Sequence, residues 1–312
     1  MITIAICTYN RAEMLDSALS SIEEQIVPNA IQFEILVIDD GSTDATTGVV
    51  ARHAARSQIQ IRYIRQGNSG IAAARNRGVA ESQGDWIAFF DDDQIATKDW
   101  LRRLIESAGG VDVVGGPCRL MLHQNAEAVI DSTVRRLLGE NPYLAEERKA
   151  SVPLVDPRCR EAIPGTGNAL VKKSLFLRVG LFSENTVYGE DLEFFRRAEA
   201  AGALFRIAPN ALVYHVIPPS RLSVTYLLPL ARRGGRSQAE IDAEICGMGR
   251  AFWNCLLRLS HVALWTLPRL VIAALKRDGA KVLGRRCSLQ FALSYIGAVL
   301  VRTSEKSCAY QG

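Results

Sequence analysis

Three consecutive carboxylates, Asp91-Asp92-Asp93, directly follow the apolar run at 86–90. A run that can be buried on both faces is typical of an inner strand of a parallel sheet, and open α/β sheets bind ligands at the carboxyl ends of such strands. Three adjacent negative charges repel one another unless a cation lies among them. Mg²⁺ or Mn²⁺ suits this role because it prefers oxygen ligands and also bridges phosphate oxygens. A solvated acidic turn is the alternative, but the preceding strand favours a metal site.

A strand-then-helix pattern repeats upstream of these acids. Strands are predicted at 2–7, 33–38 and 59–64, and each is followed by a segment with helical periodicity. The second strand also ends in acids, Asp39 and Asp40, and Asp44 is placed to cap the helix after it. Alternating strands and helices with short connections predict a parallel sheet with right-handed crossovers. Both groups of acids should therefore lie at one edge of the sheet.

Four short motifs occur in one order along this pattern. They are Thr8-Tyr9-Asn10-Arg11, Asp39-Asp40-Gly41-Ser42-Thr43-Asp44, Asn68-Ser69-Gly70 with Ala74-Arg75-Asn76, and Asp91-Asp92-Asp93. Asp-Asp-Gly-Ser alone is an ordinary turn sequence, but the four together resemble the family 2 glycosyltransferases. These are inverting enzymes of the GT-A fold that use nucleotide-sugar donors. The likeness covers about residues 2–216, and it implies an α/β, Rossmann-like, mostly parallel central sheet flanked by helices.

The resemblance implies a set of donor-binding residues. These are Thr8, Tyr9, Arg11, Asp40, Arg75 and Asp92. Thr8 and Tyr9 would line the base pocket, where the Tyr9 ring offers a stacking face. Asp40 would accept a hydrogen bond from the base, while Asp39 holds the loop. Arg75 has a forked donor suited to a diphosphate or to the surrounding acids. Taken singly, Tyr9 would be read as a half-buried aromatic residue and Arg75 as part of a surface salt bridge.

The same resemblance places the metal and the ribose at the acidic triplet. Asp92 would bind ribose hydroxyls and Asp93 would coordinate Mg²⁺ or Mn²⁺. His215 follows the predicted strand 212–214, and a histidine at this point often completes the metal shell in GT-A enzymes. A lone histidine is more often structural, so a structural His215 is the competing interpretation.

Glu190 and Asp191 stand at the start of a predicted helix whose apolar side is formed by Leu192, Phe195 and Ala198. Family members carry an acidic pair here whose Asp is the general base, so the resemblance assigns Asp191 that role. Inversion is a single displacement in which a carboxylate deprotonates the attacking hydroxyl. Acids at a helix start also suit the helix dipole, so a structural cap is the alternative.

The acceptor is expected to contact Glu190 and the segment Pro164-Gly165-Thr166-Gly167-Asn168. The residues selected there are Gly167 and Asn168, because glycines let the backbone approach a sugar closely. An ordinary turn would explain the same glycines. The least patterned region, 124–163, is interpreted as a mobile insertion over the acceptor side.

Charge divides the chain unevenly. The net charge is +4, but residues 219–312 carry 14 Lys or Arg against 5 Asp or Glu, whereas residues 1–218 are net acidic. The basic part lacks the interleaved aromatic residues typical of nucleic-acid binding, so nucleic acid is excluded as a partner. An anionic membrane surface is expected instead. The predicted domains are therefore 1–218, divided into a donor half 1–115 and an acceptor half 116–218, and a helical region 219–312.

The hydrophobic content of the last hundred residues supports membrane attachment. The stretch 251–275 is apolar but is interrupted by Arg258, His261 and Arg269, and Pro268 is expected to kink or break a helix. These interruptions favour helices that lie in the membrane interface over a spanning helix. A helical subdomain packed on the catalytic domain or on a second copy is the alternative. The basic stretch 232–236 is interpreted as a loop that closes over the donor or faces lipid phosphates.

No signal peptide is recognisable, and the seven cysteines are scattered without metal or redox spacing, so a cytoplasmic location at the inner face of the membrane is expected. The sequence thus predicts transfer of a sugar from a UDP-, GDP- or dTDP-linked donor to a hydroxyl of a glycan or lipid-linked acceptor. The alternatives are a polyprenyl-phosphate sugar transferase and a non-catalytic scaffold of the same fold. A sugar-nucleotide pyrophosphorylase is disfavoured, because it needs a glycine-rich basic loop where Thr8-Tyr9-Asn10-Arg11 stands.

Overall fold

The computed structural model describes residues 1–123, 126–141, 164–186 and 188–309. Of the insertion predicted at 124–163, only 126–141 lies within the described residues. The chain divides into two compact units. Unit 1 comprises Met1–Met121, Glu140–Asn185 and Glu190–Val216, and unit 2 comprises Leu122–Gly139, Thr186–Gly189 and Ile217–Gly312. The domain boundaries drawn from the sequence at 115 and 218 stay predictions.

Within the described residues, all strands lie before residue 218. They are β1 (Ile2–Thr8), β2 (Phe33–Asp39), β3 (Ile61–Arg65), β4 (Trp86–Asp91), β5 (Gln94–Ala96), β6 (Val113–Gly115), β7 (Cys118–Leu122), β8 (Asn168–Lys172), β9 (Phe205–Ile207) and β10 (Val213–Ile217). Seven of them form one sheet in the order β3-β2-β1-β4-β8-β6-β9. Strands β3, β2, β1 and β4 are parallel, and β6 is parallel to β9. Strand β8 runs antiparallel to both β4 and β6. The predicted α/β class with a mostly parallel central sheet is therefore confirmed.

Helices follow the strands of unit 1 and make up most of unit 2. They are α1 (Ala12–Glu23), α2 (Thr46–Arg56), α3 (Ile71–Glu81), α4 (Trp100–Glu106), α5 (Ser132–Leu137), α6 (Lys173–Val179), α7 (Glu190–Ala200), α8 (Val224–Ile245), α9 (Met248–His261), α10 (Leu267–Leu275) and α11 (Gly279–Ala309). Helix α1 shows how the sequence pattern works, because Leu15, Leu19 and Ile22 recur on one face and are fully buried against the sheet. The strand-helix order predicted for residues 2–91 is confirmed.

Three shorter strands form a second sheet beside the end of β4. Strand β10 lies between β5 and β7, and it pairs with β5 in antiparallel register so that His215 lies opposite Gln94. The sequence predicted that His215 ends its strand, and this is wrong. Strand β10 continues to Ile217, which leaves His215 in the centre of the strand, held on both sides by the ladder.

Helix α7 buries two of the three apolar residues predicted to form its inner face. Phe194 and Phe195 are both fully buried, and Leu192 is only partly covered. Phe194 stacks on Phe176 of α6 with the ring centroids 4.7 Å apart. Phe195 and Ala198 were predicted correctly, but Leu192 was wrongly preferred to Phe194. Phe194 packs against Phe176 on α6 and Phe182 after it, and these contacts cannot be read from the periodicity of α7.

The basic stretch 232–236 lies inside α8, so its prediction as a loop was wrong. Gly234 and Gly235 are needed there for packing, because a Cβ at Gly235 would collide with the backbone oxygen of Phe291 on α11. Small residues at a helix crossing let the two backbones approach closely. The glycines therefore join α8 to α11 within unit 2, rather than giving the segment freedom to move.

One helical stretch among the described residues, Met248–Leu275, is long and apolar enough to cross a membrane by length and composition. It consists of α9, a π-helical turn at Val262–Thr266 and α10. Pro268 was expected to kink or break a helix, but the helical path continues through it. The wider π turn directly precedes this proline and accommodates its missing N–H and its ring.

Candidate active site

The carboxyl ends of β1, β2 and β4 meet at one edge of the sheet of unit 1. The strand registers pair Thr8 with Asp39 and Cys7 with Asp91, so the residues that follow each strand converge. Burial beside these acids raises the pKa of the Cys7 thiol to about 12, and the Arg75 guanidinium only partly offsets this. Cys7 is therefore an inert thiol, and the chemistry of this edge lies in its carboxylates and arginines.

Arg11 neutralises two of the three consecutive aspartates. Its Nη1 donates to Asp92 Oδ1 at 2.9 Å and to Asp93 Oδ2 at 3.1 Å. Both aspartates are buried, whereas Arg11 is 41% exposed. The cation that the sequence required among these acids is thus supplied in part by a side chain of the protein itself. Arg11 lies at the start of α1, where a phosphate bound over this edge would also meet it.

Burial raises the pKa of Asp92 to about 6, and the neighbouring Asp93 adds to this while Arg11 opposes it. Burial likewise raises the pKa of Asp91, against the lowering effect of Arg75. Thr8 is 97% buried, and a hydrogen bond from its side chain helps to lower the pKa of Asp92 against the effect of burial. Buried carboxylates that are costly to keep charged are what a binding site for a cationic or polar ligand provides.

Asp93 and His215 form a close pair, with Asp93 Oδ2 3.3 Å from His215 Nε2. The pair is fixed by the backbone, because Val216 N donates to the Asp93 carbonyl at 2.8 Å and His215 lies opposite Gln94. One carboxylate and one imidazole converging on one point fit a Mg²⁺ or Mn²⁺ ion that takes its other ligands from phosphate and water. No group of three His, Cys, Asp or Glu residues able to hold a metal occurs in the described ranges. Asp93 and His215 are therefore the two described side chains that could hold such an ion here.

Arg75 is a buried residue that joins β4 to α7. Its Nη1 donates to Glu190 Oε1, and its Nη2 lies 3.5 Å from Asp91 Oδ1. Arg75 and Glu190 are both more than nine-tenths buried. Burial raises the pKa of Glu190, and the opposing effect of Arg75 keeps this shift in check. Arg75 was predicted to bind a diphosphate or the surrounding acids, and Glu190 was predicted to contact the acceptor. In the structure the two side chains form an ion pair with each other.

Asp191 lies beside the segment that leads into β8. Thr166 N donates to Asp191 Oδ2 at 3.3 Å, and Leu192 N donates to Oδ1 at 2.7 Å. The carboxylate is only partly buried, so it remains accessible to a ligand. It is also near enough to the sheet edge for its charge to raise the pKa of Asp91. The structure thus brings the predicted base to the same region as the acidic triplet.

The glycine at 167 allows the β8 segment to pass close to the acids. A Cβ at Gly167 would lie 2.5 Å from Asp91 Oδ2 and 2.5 Å from Gln94 Nε2. Thr166 in this segment was not among the site residues predicted from the sequence. Its side chain is fully buried, and its Oγ1 has no hydrogen-bond partner among the residues the structure describes. Thr166 lies between the two glycines of the segment that was predicted to contact the acceptor, and this position was the one sequence signal that could have indicated it.

Asn168 holds three segments of unit 1 together. Its Nδ2 donates to the carbonyls of Pro117 and Ala211 at 2.9 and 2.7 Å, and its Oδ1 accepts from the Trp100 indole at 2.8 Å. Both amide hydrogens are used and the side chain is buried, so this geometry favours a structural role. The acceptor-binding role predicted for Asn168 would require these hydrogen bonds to break.

Asp40 ties down the loop before α3. Its carboxylate accepts from Ser69 N at 2.9 Å, from Gly70 N at 2.8 Å and from Gln66 Nε2 at 2.8 Å. Asp39 also holds loops, because it accepts from Ser42 N and from the Tyr63 hydroxyl. The loop-holding role that was predicted for Asp39 is therefore shared by both acids. A carboxylate has about four lone-pair directions, so Asp40 keeps capacity for one further donor.

Tyr9 and Asn10 form the rim of the site. Tyr9 is 47% exposed in the loop after β1, so a ring face is accessible for stacking. Asn10 adopts a left-handed backbone, with φ at 52°, and its Oδ1 accepts from Thr43 N at 2.7 Å. This hydrogen bond ties the loop after β1 to the loop after β2. Tyr9 and Asp40 are thereby held at the ends of adjacent strands.

Comparisons with known proteins agree with this fold. Residues 3–151 match the family model described as Glycosyl transferase family 2. The chain is 29% identical over 261 residues to the succinoglycan biosynthesis protein ExoM of Rhizobium meliloti (strain 1021), which covers 82% of this chain and 80% of ExoM.

Two similar solved structures cover nearly the whole chain. The mannosyltransferase PcManGT from Pyrobaculum calidifontis, in complex with GDP-Man and Mn²⁺, superposes with a TM-score of 0.60 at 18% identity, over 96% of this chain and 86% of that one. S. aureus TarS 1-349, in complex with UDP-GlcNAc, gives 0.56 at 16% identity, over 97% and 92%. Likeness at these identities shows the fold alone, and that fold is GT-A. The family match over residues 3–151 and the similarity to ExoM agree with the resemblance to the family 2 glycosyltransferases that the sequence motifs carry.

Proposed function

We propose that this glycosyltransferase moves one sugar, with inversion, from a nucleoside-diphosphate sugar to an acceptor hydroxyl. The observation that carries the proposal is the convergence, in unit 1, of Asp92, Asp93 and two arginines with a separate, accessible carboxylate, Asp191. A transfer with inversion needs a site for a diphosphate and one base on the acceptor side, and no covalent nucleophile.

The donor is proposed to bind over the ends of β1, β2 and β4. Tyr9 offers its exposed ring to the base, and Asp40 accepts from a base N–H. Asp92 accepts from ribose hydroxyls, and the buried Thr8 hydroxyl supports this region. Arg11 can turn from the aspartates to the diphosphate, since its side chain is partly exposed. Support comes from the PcManGT and TarS structures, which contain GDP-Man and UDP-GlcNAc.

Asp93 and His215 are the residues that would hold Mg²⁺ or Mn²⁺. When bound, such an ion neutralises charge on phosphate oxygens and so stabilises a departing nucleoside diphosphate. The PcManGT structure contains Mn²⁺ together with GDP-Man. Asp93 lies one residue beyond Asp92, so diphosphate and ribose would be held by adjacent side chains.

Asp191 is proposed as the general base. Thr166 N and Leu192 N fix the orientation of its carboxylate, and its partial exposure leaves room for an acceptor. The hydroxyl oxygen attacks the anomeric carbon while its proton passes to Asp191, and the bond from that carbon to the diphosphate oxygen breaks. Arg75 acts as a positioning residue, because it holds Glu190 directly before the base. Gly167 and Glu190 remain the proposed acceptor contacts.

The acceptor is proposed to be a glycan or a lipid-linked saccharide in polysaccharide or glycolipid assembly. The similarity to a succinoglycan biosynthesis protein supports this class. The apolar stretch Met248–Leu275 and the basic composition of residues 219–312 support work at the anionic inner face of a cell membrane. In this proposal residues 1–115 bind the donor, residues 116–218 bind the acceptor, and residues 219–312 attach the enzyme to the membrane.

The test is consumption of radiolabelled UDP-, GDP- and dTDP-sugars by the purified protein with its membranes and Mn²⁺. The product of the consumed donor is then analysed for its anomeric configuration. We expect inversion, and we expect D191N to lower the transfer rate by about 10²–10⁴ while donor binding is kept. The exposed Asp85 provides a matched control, D85N, whose activity should equal that of the unchanged protein. Retention of configuration, or full activity in D191N, would contradict the proposal.

A further inference from the structure

A cavity of about 620 Å³ lies between α8 and α11 of unit 2. On α8 its lining follows one helical face, with Arg232, Arg236 and Glu240 at intervals of four residues. On α11 it is lined by Gln290, Leu293, Ser294, Gly297, Ala298, Val301 and Arg302. The close contact at Gly234 and Gly235 fixes the two helices at one point of this crossing. The cavity is therefore part of the packing of these helices.

Positive charge predominates in the cavity. Arg236 pairs with Glu240 at 2.9 Å, and Arg302 pairs with Glu244 at 2.8 Å. Both pairs are partly exposed, and such pairs contribute little to stability, so their arginines can turn to a better anion at small cost. Arg232 is exposed and has no ion pair or hydrogen bond within the described parts of the chain. Three arginines around one cavity can form several charge-assisted hydrogen bonds to a phosphate.

The α11 side of the cavity also carries two apolar side chains that are open to solvent. Leu293 is 53% exposed and Val301 is 57% exposed, and Leu300 beside them is 53% exposed. Exposed branched apolar side chains that adjoin arginines offer a surface to a hydrocarbon chain whose charged head lies among the arginines. A free phosphate would contact the arginines but not these apolar side chains.

We propose that the α8–α11 cavity binds a phosphate- or diphosphate-bearing lipid. The phosphate oxygens accept from Arg232, Arg236 and Arg302, and the hydrocarbon chain lies along Leu293 and Val301. This site is separate from the carboxylates of unit 1. Binding of the lipid requires no sugar transfer, so the inference does not depend on the proposed activity.

The test uses calorimetric titration of the full-length protein with two probes, farnesyl diphosphate and inorganic diphosphate. We expect saturable binding of farnesyl diphosphate, weakened at least about 10-fold in R232Q/R236Q, which corresponds to about 1.4 kcal/mol. Arg233 is the matched control, because it is exposed on the same helix but does not line the cavity. R233Q should bind as the unchanged protein does.

The two probes and a third variant separate the sources of binding. If inorganic diphosphate binds as tightly as farnesyl diphosphate, the apolar wall contributes nothing and a lipid ligand is ruled out. If R11Q weakens farnesyl diphosphate binding and R232Q/R236Q does not, the probe occupies the acidic edge of unit 1 and the proposal is wrong. Circular dichroism of R232Q/R236Q, expected to match the unchanged protein, shows that any loss of binding is local.

Discussion

Arg75 and Glu190 form a buried ion pair between residues 115 positions apart in the sequence. Arg75 lies in α3, and Glu190 is the first residue of α7. The proposed base, Asp191, is the second residue of α7. Asp91 completes the contact from the end of β4. A single guanidinium therefore links the two groups of acids on which the proposed chemistry depends.

Replacing Arg75 should be strongly destabilising. R75Q leaves Glu190 buried without its cation, and breaking a buried pair from one side costs about 3–5 kcal/mol. Without Arg75, burial raises the pKa of Glu190 further. A folded-state pKa above the unfolded value favours folding only while the group is protonated, so the loss should shrink as pH falls toward about 4. Urea unfolding between neutral and acidic pH measures this.

Arg77 on the same helix supplies the control for R75Q. It is exposed and pairs with Glu81 at i,i+4, so R77Q should cost no more than about 0.5 kcal/mol. In R75Q/E190Q the unpaired charge is removed, and part of the lost stability should return. An R75Q protein as stable as R77Q at neutral pH would show that the pair does not hold the two segments together.

Removal of the proposed metal should weaken binding of the nucleoside diphosphate. Mn²⁺ is expected to raise the affinity measured by calorimetry, and H215A should reduce this enhancement at least about 10-fold, since even outer partners of metal ligands are worth 10–100-fold. H261A on α9 is the control histidine variant. If EDTA and H215A both leave binding and turnover unchanged, then Arg11 alone neutralises the diphosphate.

The local pattern of the chain predicted the strands of residues 2–91 well, because apolar residues predominate in each short strand and turn residues follow it. The end of β4 was predicted for the same reason. The partners of the site were not predictable in this way. The pairing of Arg75 with Glu190 and the antiparallel insertion of β8 depend on contacts between distant segments, which leave no periodicity in either segment.

Two further differences have the same origin. Gly234 and Gly235 indicated a loop, whereas Phe291 of a distant helix requires small residues at that point. Asn168 was selected for its place after two glycines, but its hydrogen bonds to Pro117, Ala211 and Trp100 show a tie between segments. Glycine and asparagine have several structural uses, and only the neighbouring atoms distinguish them.

Asp44 was predicted to cap α2, but the N-cap residue is Ala45. The Asp44 side chain lies one residue earlier, where it accepts from Thr46 N at 3.1 Å and from Ala12 N at the start of α1 at 3.0 Å. D44A should therefore destabilise the protein by about 1–2 kcal/mol, whereas D44N, which keeps an acceptor, should cost less. Hydrogen bonding to Thr46 is the main factor that lowers the pKa of Asp44.

The stability that the Asp44 hydrogen bonds contribute should depend on pH, because they lower the pKa of this carboxylate. A lowered folded-state pKa gives stability that is present above the unfolded pKa of about 3.9 and is lost as pH falls below it. The difference between the unchanged protein and D44A, measured by thermal unfolding, should narrow at acidic pH. Equal stability of the two proteins at neutral pH would show that the Asp44 hydrogen bonds contribute nothing.

The hydrogen bond from Tyr295 to Asp242 should stabilise unit 2. The Tyr295 ring is fully buried, and its hydroxyl donates to Asp242 Oδ2 at 2.7 Å. Y295F keeps the ring and its contact with Arg258 but loses this bond, at an expected cost of about 1 kcal/mol because Asp242 retains other donors.

Burial and the bond to Asp242 raise the pKa of Tyr295. The contribution of Tyr295 to the free energy of unfolding should therefore be present below the unfolded pKa of about 10 and fall as pH rises above it. Denaturant titrations at neutral and alkaline pH measure both effects, with Y226F on α8 as the control. If Y295F and Y226F have the same midpoint at neutral pH, the hydroxyl of Tyr295 does not hold α11 to α8.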